Sequence, residues 1–246
     1  MMKPTPTSPA DPAPLLVFGA HPDDVEFGCG GVVALETQSG RAAHLVICSR
    51  GEAGTHGTPA LRALEAEKAA SLLGASLAFE DFQGDAHLEM NVANTLKLAG
   101  LIRQHRPGVV LAPTLEENQH PDHSRLGRLV RDATRLARYG GLEELRALPP
   151  HTISHLYFYA VTPEAEPREI TPILLDISSP EILDAWTEAM KAHASQVSAR
   201  NYVELQIARA RLLGLRAGIG HAMALYPNDP PVLGSLSQLQ RSARKF

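Results

Sequence analysis

The sequence contains only two cysteines, Cys29 and Cys48, among its 246 residues. Two cysteines are too few for a disulfide framework of the kind found in small secreted domains. They also lack the CxxC spacing of a redox or zinc-binding motif. We therefore expect both side chains to be free thiols.

Long apolar runs and an excess of positive charge are also missing. The chain has no run of about eighteen apolar residues, the length needed to span a bilayer. Its N-terminus does not combine a basic segment with an apolar one, as a secretory signal does. The net charge of -4 excludes the basic footprint typical of nucleic-acid-binding domains. We expect a cytoplasmic protein that acts on a small molecule and binds neither membranes nor nucleic acids.

The hydrophobic content, 44% of the residues, is enough for a buried core in a chain of this length. The opening segment MMKPTPTSPADPAP is rich in Pro, Ser and Thr and buries little, so we predict a disordered tail over residues 1–14. No linker or internal repeat divides the remainder of the chain. We predict one domain over residues 15–246.

Continuous apolar runs alternate with helical patterns through the first half of the sequence. The runs LLVFGA, AHLVICS and GVVLAP are typical of strands buried on both faces, and SLAFEDF contains a shorter strand. Helical periodicity covers residues 30–39, 60–73, 92–103 and 126–137. This order predicts an α/β fold with a mostly parallel sheet between two helical layers. Further on, HLYFYA and PILLDI indicate strands, and helices over 180–195 and 203–218 form a C-terminal elaboration.

Two polar loops follow strands of this predicted sheet. GAHPDDVEFGCGG follows the first strand, and TLEENQHPDH follows GVVLAP. Ligands of open parallel sheets bind beyond the carboxyl ends of the strands, so both loops belong to one rim. A nucleotide-binding loop is disfavoured, because Asp23, Asp24 and Glu26 would lie where a pyrophosphate binds and the GxGxxG spacing is missing.

Carboxylates and imidazoles that converge on a rim favour a divalent cation. His21 and Asp24 lie within one turn, and His123 from the second loop completes two nitrogens and an oxygen, a set typical of catalytic zinc. The open fourth position suits a water whose pKa falls to about 7. Asp23 then serves as general base, and a protonated His120 donates to the oxyanion or the leaving nitrogen. HPDD alone would equally suit a solvated turn, but the second motif, HPDH, favours the metal site.

The motifs AHPDDVEFGCGG and HPDH resemble those of the LmbE/PIG-L family of zinc-dependent N-acetylglucosamine deacetylases. The resemblance extends through SRGEAGTHGTPALRALEAEKAASLLG and MKAHASQ. It implies a Rossmann-like fold, one Zn²⁺ per chain, and hydrolysis of an N-acetyl group on a glucosamine-containing small molecule. By position, the family's zinc ligands fall on His21, Asp24 and His123, its base on Asp23 and its second catalytic histidine on His120. The family often forms oligomers, so a homo-oligomer is an expectation here.

Three further residues are candidate substrate contacts by the same resemblance. Arg62 looks like the family's substrate-contacting arginine, although it is also placed to pair with Glu65 on a helix surface. Gln119 stands where members that deacetylate N-acetylglucosaminyl malate, a bacillithiol precursor, tend to have arginine. His221 stands where the family often has tyrosine. Both departures weaken the malate assignment but leave the metal set intact.

Other functions fit the same residues. An amidase that acts on a larger glucosamine-thiol conjugate would use the same metal set with a wider pocket. A non-catalytic sugar- or nucleotide-binding module would need no metal. A phosphoesterase normally has two metals, and the motifs provide ligands for one.

Overall fold

A computed structural model of the chain describes residues 12–198, 201–239 and 241–243. Most of the predicted tail, residues 1–11, lies outside the described residues. Residues 12–14 are irregular chain that leads into the first strand. Within the described ranges, no helix combines the length and the hydrophobicity that a membrane crossing needs.

The described chain contains one seven-stranded sheet, with the order β3-β2-β1-β4-β5-β7-β6. Its strands are β1 (Leu15–Gly19), β2 (Ala43–Ile47), β3 (Ser76–Phe79), β4 (Val109–Pro113), β5 (His155–Tyr159), β6 (Ile173–Asp176) and β7 (Ala222–Pro227). Strands β1 to β5 are parallel, whereas β7 runs antiparallel to both of its neighbours.

Helices cover both faces of this sheet. They are α1 (Asp24–Gln38), α2 (Pro59–Leu72), α3 (Val92–His105), α4 (Pro121–Ala137), α5 (Pro180–Ala192), α6 (Ala194–Val197) and α7 (Tyr202–Ala217). Leu15 and Val17 of β1 pack in a core with α1, α2, α5 and α7, whereas Leu16 and Phe18 pack with α3 and α4. Successive strand residues face opposite sides of a sheet. Both faces of β1 are therefore buried, and its sequence does not alternate between polar and apolar residues. The predicted three-layer α/β fold is confirmed.

Two helices begin earlier than their apolar periodicity predicts. Helix α1 begins at Asp24 rather than near residue 30, and α4 begins at Pro121 rather than near residue 126. Their first turns carry the polar motif residues, which interrupt the apolar stripe. The imidazole of His120 caps α4 by accepting the Asp122 N–H, and proline suits the first helical position. The HPDD and HPDH motifs are therefore helix N-termini.

Strand β7 was not predicted from the sequence. It lies between β5 and β6, and it is buried along most of its length. Its short apolar run, AMALY, follows a helix pattern with only a brief glycine-containing break. Short apolar runs do not distinguish strand from helix by themselves, so only its pairing with β5 and β6 identifies it.

The sheet order brings the two motifs together. Strands β1 and β4 are hydrogen-bonded neighbours in parallel, so the chain leaves both at the same edge. Gly28 of α1 packs directly on Tyr159 of β5. A Cβ at Gly28 would lie 2.2 Å from the ring of Tyr159. This glycine lets α1 approach the sheet closely, and the Tyr159 hydroxyl donates to the Phe18 carbonyl at 2.7 Å.

Candidate active site

Three side chains from the two helix N-termini meet in a buried cluster at this edge of the sheet. His21 Nδ1 lies 3.1 Å from His123 Nε2, and Asp24 places Oδ1 2.9 Å from His123 Nε2 and Oδ2 3.6 Å from His21 Nδ1. Ligands at zinc bond lengths of about 2.1 Å in a tetrahedron lie roughly 3.4 Å apart. The two nitrogens and one carboxylate therefore fit a single zinc ion.

Backbone and charge orient these donors. Asp24 Oδ2 accepts the N–H groups of Ala20 and His21 at 2.8 and 2.9 Å, which holds the carboxylate still. Burial raises the pKa of Asp24, but the charges of His123 and His21 outweigh it and hold this pKa well below its usual range. The carboxylate thus stays ionised in a buried place, as a cation site requires.

Negative charge also faces the other ring nitrogen of His21. Asp85 Oδ1 lies 2.9 Å and Asp122 Oδ2 3.6 Å from Nε2. Burial lowers the pKa of His21, but Asp24, Asp122 and Asp85 raise it well above its usual value. A raised pKa favours the imidazolium in the absence of a metal, and a cation bound at Nδ1 would take the place of the proton there while the carboxylates hold the proton on Nε2.

Asp23 lies beside the cluster in an unusual backbone conformation. Its φ is 108°, in the left-handed region that few non-glycine residues adopt, and it precedes α1 as the N-cap residue. Burial and the charge of Asp24 raise the pKa of Asp23 to about 6, against opposing effects of His193, Arg62 and His21. A carboxylate with a pKa near the working pH suits a general base.

His120 lines the cavity, and its hydrogen bond to the N-terminus of α4 sets its tautomer. Its Nδ1 accepts the Asp122 N–H at 3.2 Å, so the neutral ring carries its proton on Nε2. The side chain is 39% exposed, and Nε2 lies 3.8 Å from Asp85 Oδ1. Burial, together with His21 and His123, lowers the pKa of His120. The neutral ring can therefore donate from Nε2, whereas the sequence predicted a protonated donor.

These residues line one open cavity of about 340 Å³. The cluster, Asp23, Asp85 and His120 form its polar side. The rest of the described lining comes from several elements, namely Phe27, Ala53, Gly54, Thr55, Arg62, Val161, Thr162, Gln196, Tyr202, Leu205 and Gln206. A volume of this order suits a small organic ligand, and the mixed wall suits a molecule with both hydroxyls and an apolar face.

Comparison with known proteins assigns the family. A family model described as GlcNAc-PI de-N-acetylase, PIG-L, matches residues 16–134. A diacetylchitobiose deacetylase from Thermococcus kodakarensis is 30% identical over 194 residues, which cover 74% of this chain and 69% of that protein. The chain belongs to the PIG-L/LmbE family of deacetylases.

Other relatives of this PIG-L protein widen the comparison. A 4-oxalmesaconate hydratase from Pseudomonas putida is 32% identical over 198 residues, 74% of this chain and 73% of that protein. The crystal structure of the conserved protein TT1542 from Thermus thermophilus superimposes with a TM-score of 0.79 at 32% identity. That match covers 90% of this chain and 97% of the other, so the shared fold extends well beyond the motif region.

Two of the predicted substrate contacts do not reach the cavity of this PIG-L protein. The Gln119 amide donates to the Thr114 carbonyl at 3.1 Å and the Glu116 carbonyl at 2.6 Å, so it braces its own loop. His221 precedes β7, and its N–H donates to the Ser178 hydroxyl at 2.9 Å. Neither is among the described residues that line the cavity. Their contacts with a substrate stay predictions, which this arrangement does not favour.

Arg62 does line the cavity, but the residue is only 5% exposed and its guanidinium donates to backbone. Nη2 donates to the Pro22 carbonyl at 2.9 Å and Nη1 to the Gly51 carbonyl at 3.2 Å. The alternative partner considered from the sequence, Glu65, instead accepts from the N–H and hydroxyl of Ser195. Arg62 is thus not a helix-surface arginine, and its contact with a substrate stays a prediction.

Sequence reasoning missed Asp85 and the wall from α7. Asp85 lies in the loop after β3, which leaves the sheet at the same edge as the two motif loops. The rule that located HPDD and HPDH also indicates this loop, because β3 is parallel to β2 and β1. Tyr202 and Leu205 gave no such signal, since their helix comes from the irregular C-terminal half.

Proposed function

We propose that this protein is a zinc-dependent hydrolase that removes the N-acetyl group from an N-acetylglucosamine-containing small molecule. The observation that carries the proposal is the convergence of His21, Asp24 and His123 beside Asp23 and His120 on one cavity. Family membership supports the proposal, because the relative from Thermococcus kodakarensis, which is 30% identical to this chain, is named a diacetylchitobiose deacetylase. One zinc ion per chain is held by His21, Asp24 and His123.

The chemistry divides among the metal and the side chains around it. When bound, zinc lowers the pKa of a water and polarises an amide carbonyl. Asp23 takes a proton from the attacking water, as its raised pKa allows. His120 donates from Nε2 to the oxyanion of the tetrahedral intermediate, since its Nδ1 is occupied by the helix cap. Asp23 passes this proton to the nitrogen as the C–N bond breaks, so that acetate and the free amine are released.

The described lining favours an uncharged sugar over a polyanion. Among the residues that the structure describes, this lining includes one arginine, Arg62, and no lysine, and the guanidinium of Arg62 donates to backbone carbonyls. With Gln119 held in its own loop, this lining supports a simple sugar or an oligosaccharide more than N-acetylglucosaminyl malate. The malate conjugate of bacillithiol biosynthesis stays the finer hypothesis, and a larger glucosamine-thiol conjugate is the alternative.

A second candidate is hydration of a carbon–carbon double bond. The hydratase from Pseudomonas putida is 32% identical to this chain, so family membership alone does not separate the two reactions. Both need an activated water and a base, and the same cluster supplies them. The described lining has no lysine, and its one arginine, Arg62, donates to backbone carbonyls, so it offers few cationic side chains to an anionic substrate and deacetylation is the proposed reaction.

A substrate panel tests the proposal. The zinc-loaded protein is incubated with diacetylchitobiose, N-acetylglucosamine and N-acetylglucosaminyl malate, and released acetate and free amine are both measured. We expect equal amounts of acetate and amine from at least one sugar, with the malate conjugate slower than a neutral substrate. Hydration of 4-oxalmesaconate without acetate release from any sugar would transfer the assignment to a hydratase.

Metal analysis addresses the non-catalytic alternative separately. Purified protein that is reconstituted with zinc and then desalted should retain one ion per chain. The His123→Ala variant should retain no zinc after the same treatment. A protein that binds sugar but holds no zinc would be a binding module. The expected cytoplasmic location and self-association remain predictions, which cell fractionation and size-exclusion chromatography test.

A further inference from the structure

We propose that Glu52 is a positioning residue that holds the carboxylate of Asp85 against His21, a metal ligand of the proposed function. Glu52 lies in the loop after β2, and Asp85 lies in the loop after β3, the neighbouring parallel strand. Oε2 of Glu52 accepts the N–H of Asp85 at 3.0 Å. The zinc-binding part of this inference rests on the proposed function, whereas the contact between the two loops does not.

The backbone around Asp85 has a conformation that needs support from outside the loop. Gln83 and Ala86 have φ values of 77° and 67°, in the left-handed region that non-glycine residues rarely adopt. Gly84, which precedes Asp85, has a φ of 88°. Strained conformations of this kind persist only where surrounding contacts impose them. The position of the Asp85 side chain therefore depends on what holds this segment.

Two carboxylates from other segments provide this support. The N–H of Asp85 donates to Glu52, and the next N–H, that of Ala86, donates to Asp122 Oδ2 at 2.8 Å in the first turn of α4. Hydrogen bonds to an ionised acceptor are stronger than those between neutral groups. The two N–H groups flank the Cα of Asp85, so the two bonds together fix the direction in which its side chain leaves the backbone.

Glu52 is itself held in the position that this contact requires. Its two carboxylate oxygens, Oε1 and Oε2, accept the N–H of Arg50 at 3.0 and 3.1 Å. The side chain thus folds back over its own loop, and little further ordering is needed for it to accept from Asp85. The residue is exposed, and exposed side chains usually contribute little to stability. Loss of Glu52 should therefore affect the direction of Asp85 more than the stability of the fold.

The direction of Asp85 matters because its carboxylate is buried against a proposed metal ligand. Asp85 is 6% exposed, and its Oδ1 lies 2.9 Å from His21 Nε2. A carboxylate that accepts the second ring proton of a metal-bound histidine fixes the orientation of the ring and raises its basicity. Loss of such a partner typically weakens metal binding by roughly 10–100-fold. Glu52 acts on the metal site through Asp85.

Zinc affinity, measured by competition with a chelator of known Kd, tests this positioning. We expect Glu52→Ala and Asp85→Ala each to weaken zinc binding by about tenfold or more. Glu52→Gln should stay within about threefold of the wild type, because its amide oxygen can accept the same N–H. The double variant Glu52→Ala/Asp85→Ala should lose no more affinity than Asp85→Ala alone. Losses that add in the double variant, or a wild-type affinity in Glu52→Ala, would overturn the proposal.

Glu89 provides a matched control in the loop after β3. It is also an exposed glutamate, but its carboxylate accepts from the side-chain amide of Asn91 at 3.0 Å rather than from the backbone of Asp85. Glu89→Ala removes the same charge from a nearby position, and we expect it to leave the zinc Kd unchanged. An equal loss of affinity in Glu89→Ala and Glu52→Ala would assign the effect to charge alone and would contradict positioning.

Amide hydrogen exchange, followed by nuclear magnetic resonance, tests the contact without zinc or substrate. In the zinc-free protein, Glu52→Ala should speed exchange of the Asp85 amide by about tenfold or more. The Ala86 amide donates to Asp122 and is the internal reference, which should respond less. An unchanged Asp85 exchange rate would overturn the proposal. A wild type that binds no zinc or releases no acetate, but whose Asp85 amide still depends on Glu52, would overturn only the proposed function.

Discussion

His21 Nδ1 lies 3.1 Å from His123 Nε2, although the two residues are 102 positions apart in the chain. Two buried ring nitrogens at this distance share either a proton or a cation. The carboxylate of Asp24 lies against both rings, and the carboxylate of Asp85 at His21 Nε2 favours a proton on that nitrogen, which faces away from His123. His21 Nδ1 and His123 Nε2 are thus placed to bind one cation together.

Removal of the metal should destabilise the fold. An ion that binds only the folded chain stabilises it by about 2.7 kcal/mol when its free concentration is one hundred times Kd. We expect a chelator to lower Tm by several degrees and added zinc to restore it, with the shift following zinc concentration. His123→Ala should show no zinc-dependent shift in calorimetry. An equal response of this variant would exclude His123 as a ligand.

The substitution Asp23→Asn should leave the metal bound and slow the reaction. The amide cannot accept the proton from water, and a general base typically contributes roughly 10²–10⁴ in rate. We expect kcat to fall within that range while zinc content stays at one ion per chain. Unchanged turnover with bound zinc would remove Asp23 from the mechanism.

His120 should affect rate more than stability. Loss of a directed oxyanion donor typically costs about 10²–10³ in kcat, and loss of an N-cap about 1 kcal/mol of unfolding free energy. His120→Ala should therefore bind zinc normally and lose kcat on the best substrate. His120→Asn is the control for the cap, since it can keep the bond to the Asp122 N–H without reaching the oxyanion. Equal activity of the two variants and the wild type would contradict this role.

Gln119 should not determine substrate choice. Its amide is bonded to carbonyls of its own loop, outside the described cavity lining. Gln119→Ala should leave the ratio of kcat/KM between the malate conjugate and N-acetylglucosamine within about twofold of the wild type. A large change in that ratio would restore a direct role for this position.

Both cysteines should resist thiol reagents in the folded protein. Burial raises the pKa of Cys29 and of Cys48, so at pH 8 the reactive thiolate is scarcer than for an ordinary cysteine. A colorimetric disulfide reagent should label neither thiol at pH 8 until urea unfolds the chain, and then label both. Fast labelling of the native protein would contradict the buried thiols.

The parallel sheet and the metal set were accessible from the sequence for physical reasons. Strands such as LLVFG are buried on both faces and carry no alternation, a pattern typical of a parallel sheet covered by helices on both sides. Polar motifs that directly follow two such strands share an edge in any parallel arrangement, so His21, Asp24 and His123 could be grouped before their distances were known. The helix starts at Asp24 and Pro121 were missed because the polar motif residues occupy the first turns, where they interrupt the apolar periodicity that predicts a helix.

By itself the sequence determined the order of buried strands and helices and the two motifs at one edge, because both follow from local patterns of burial and polarity. Only the tertiary structure decided where the side chains point. Arg62 donates to backbone carbonyls beside the glycines at 51 and 54, the Gln119 amide donates to carbonyls of its own loop, and Asp85 meets His21 through the loop after β3. These directions depend on packing between segments far apart in the chain, and no local pattern encodes them.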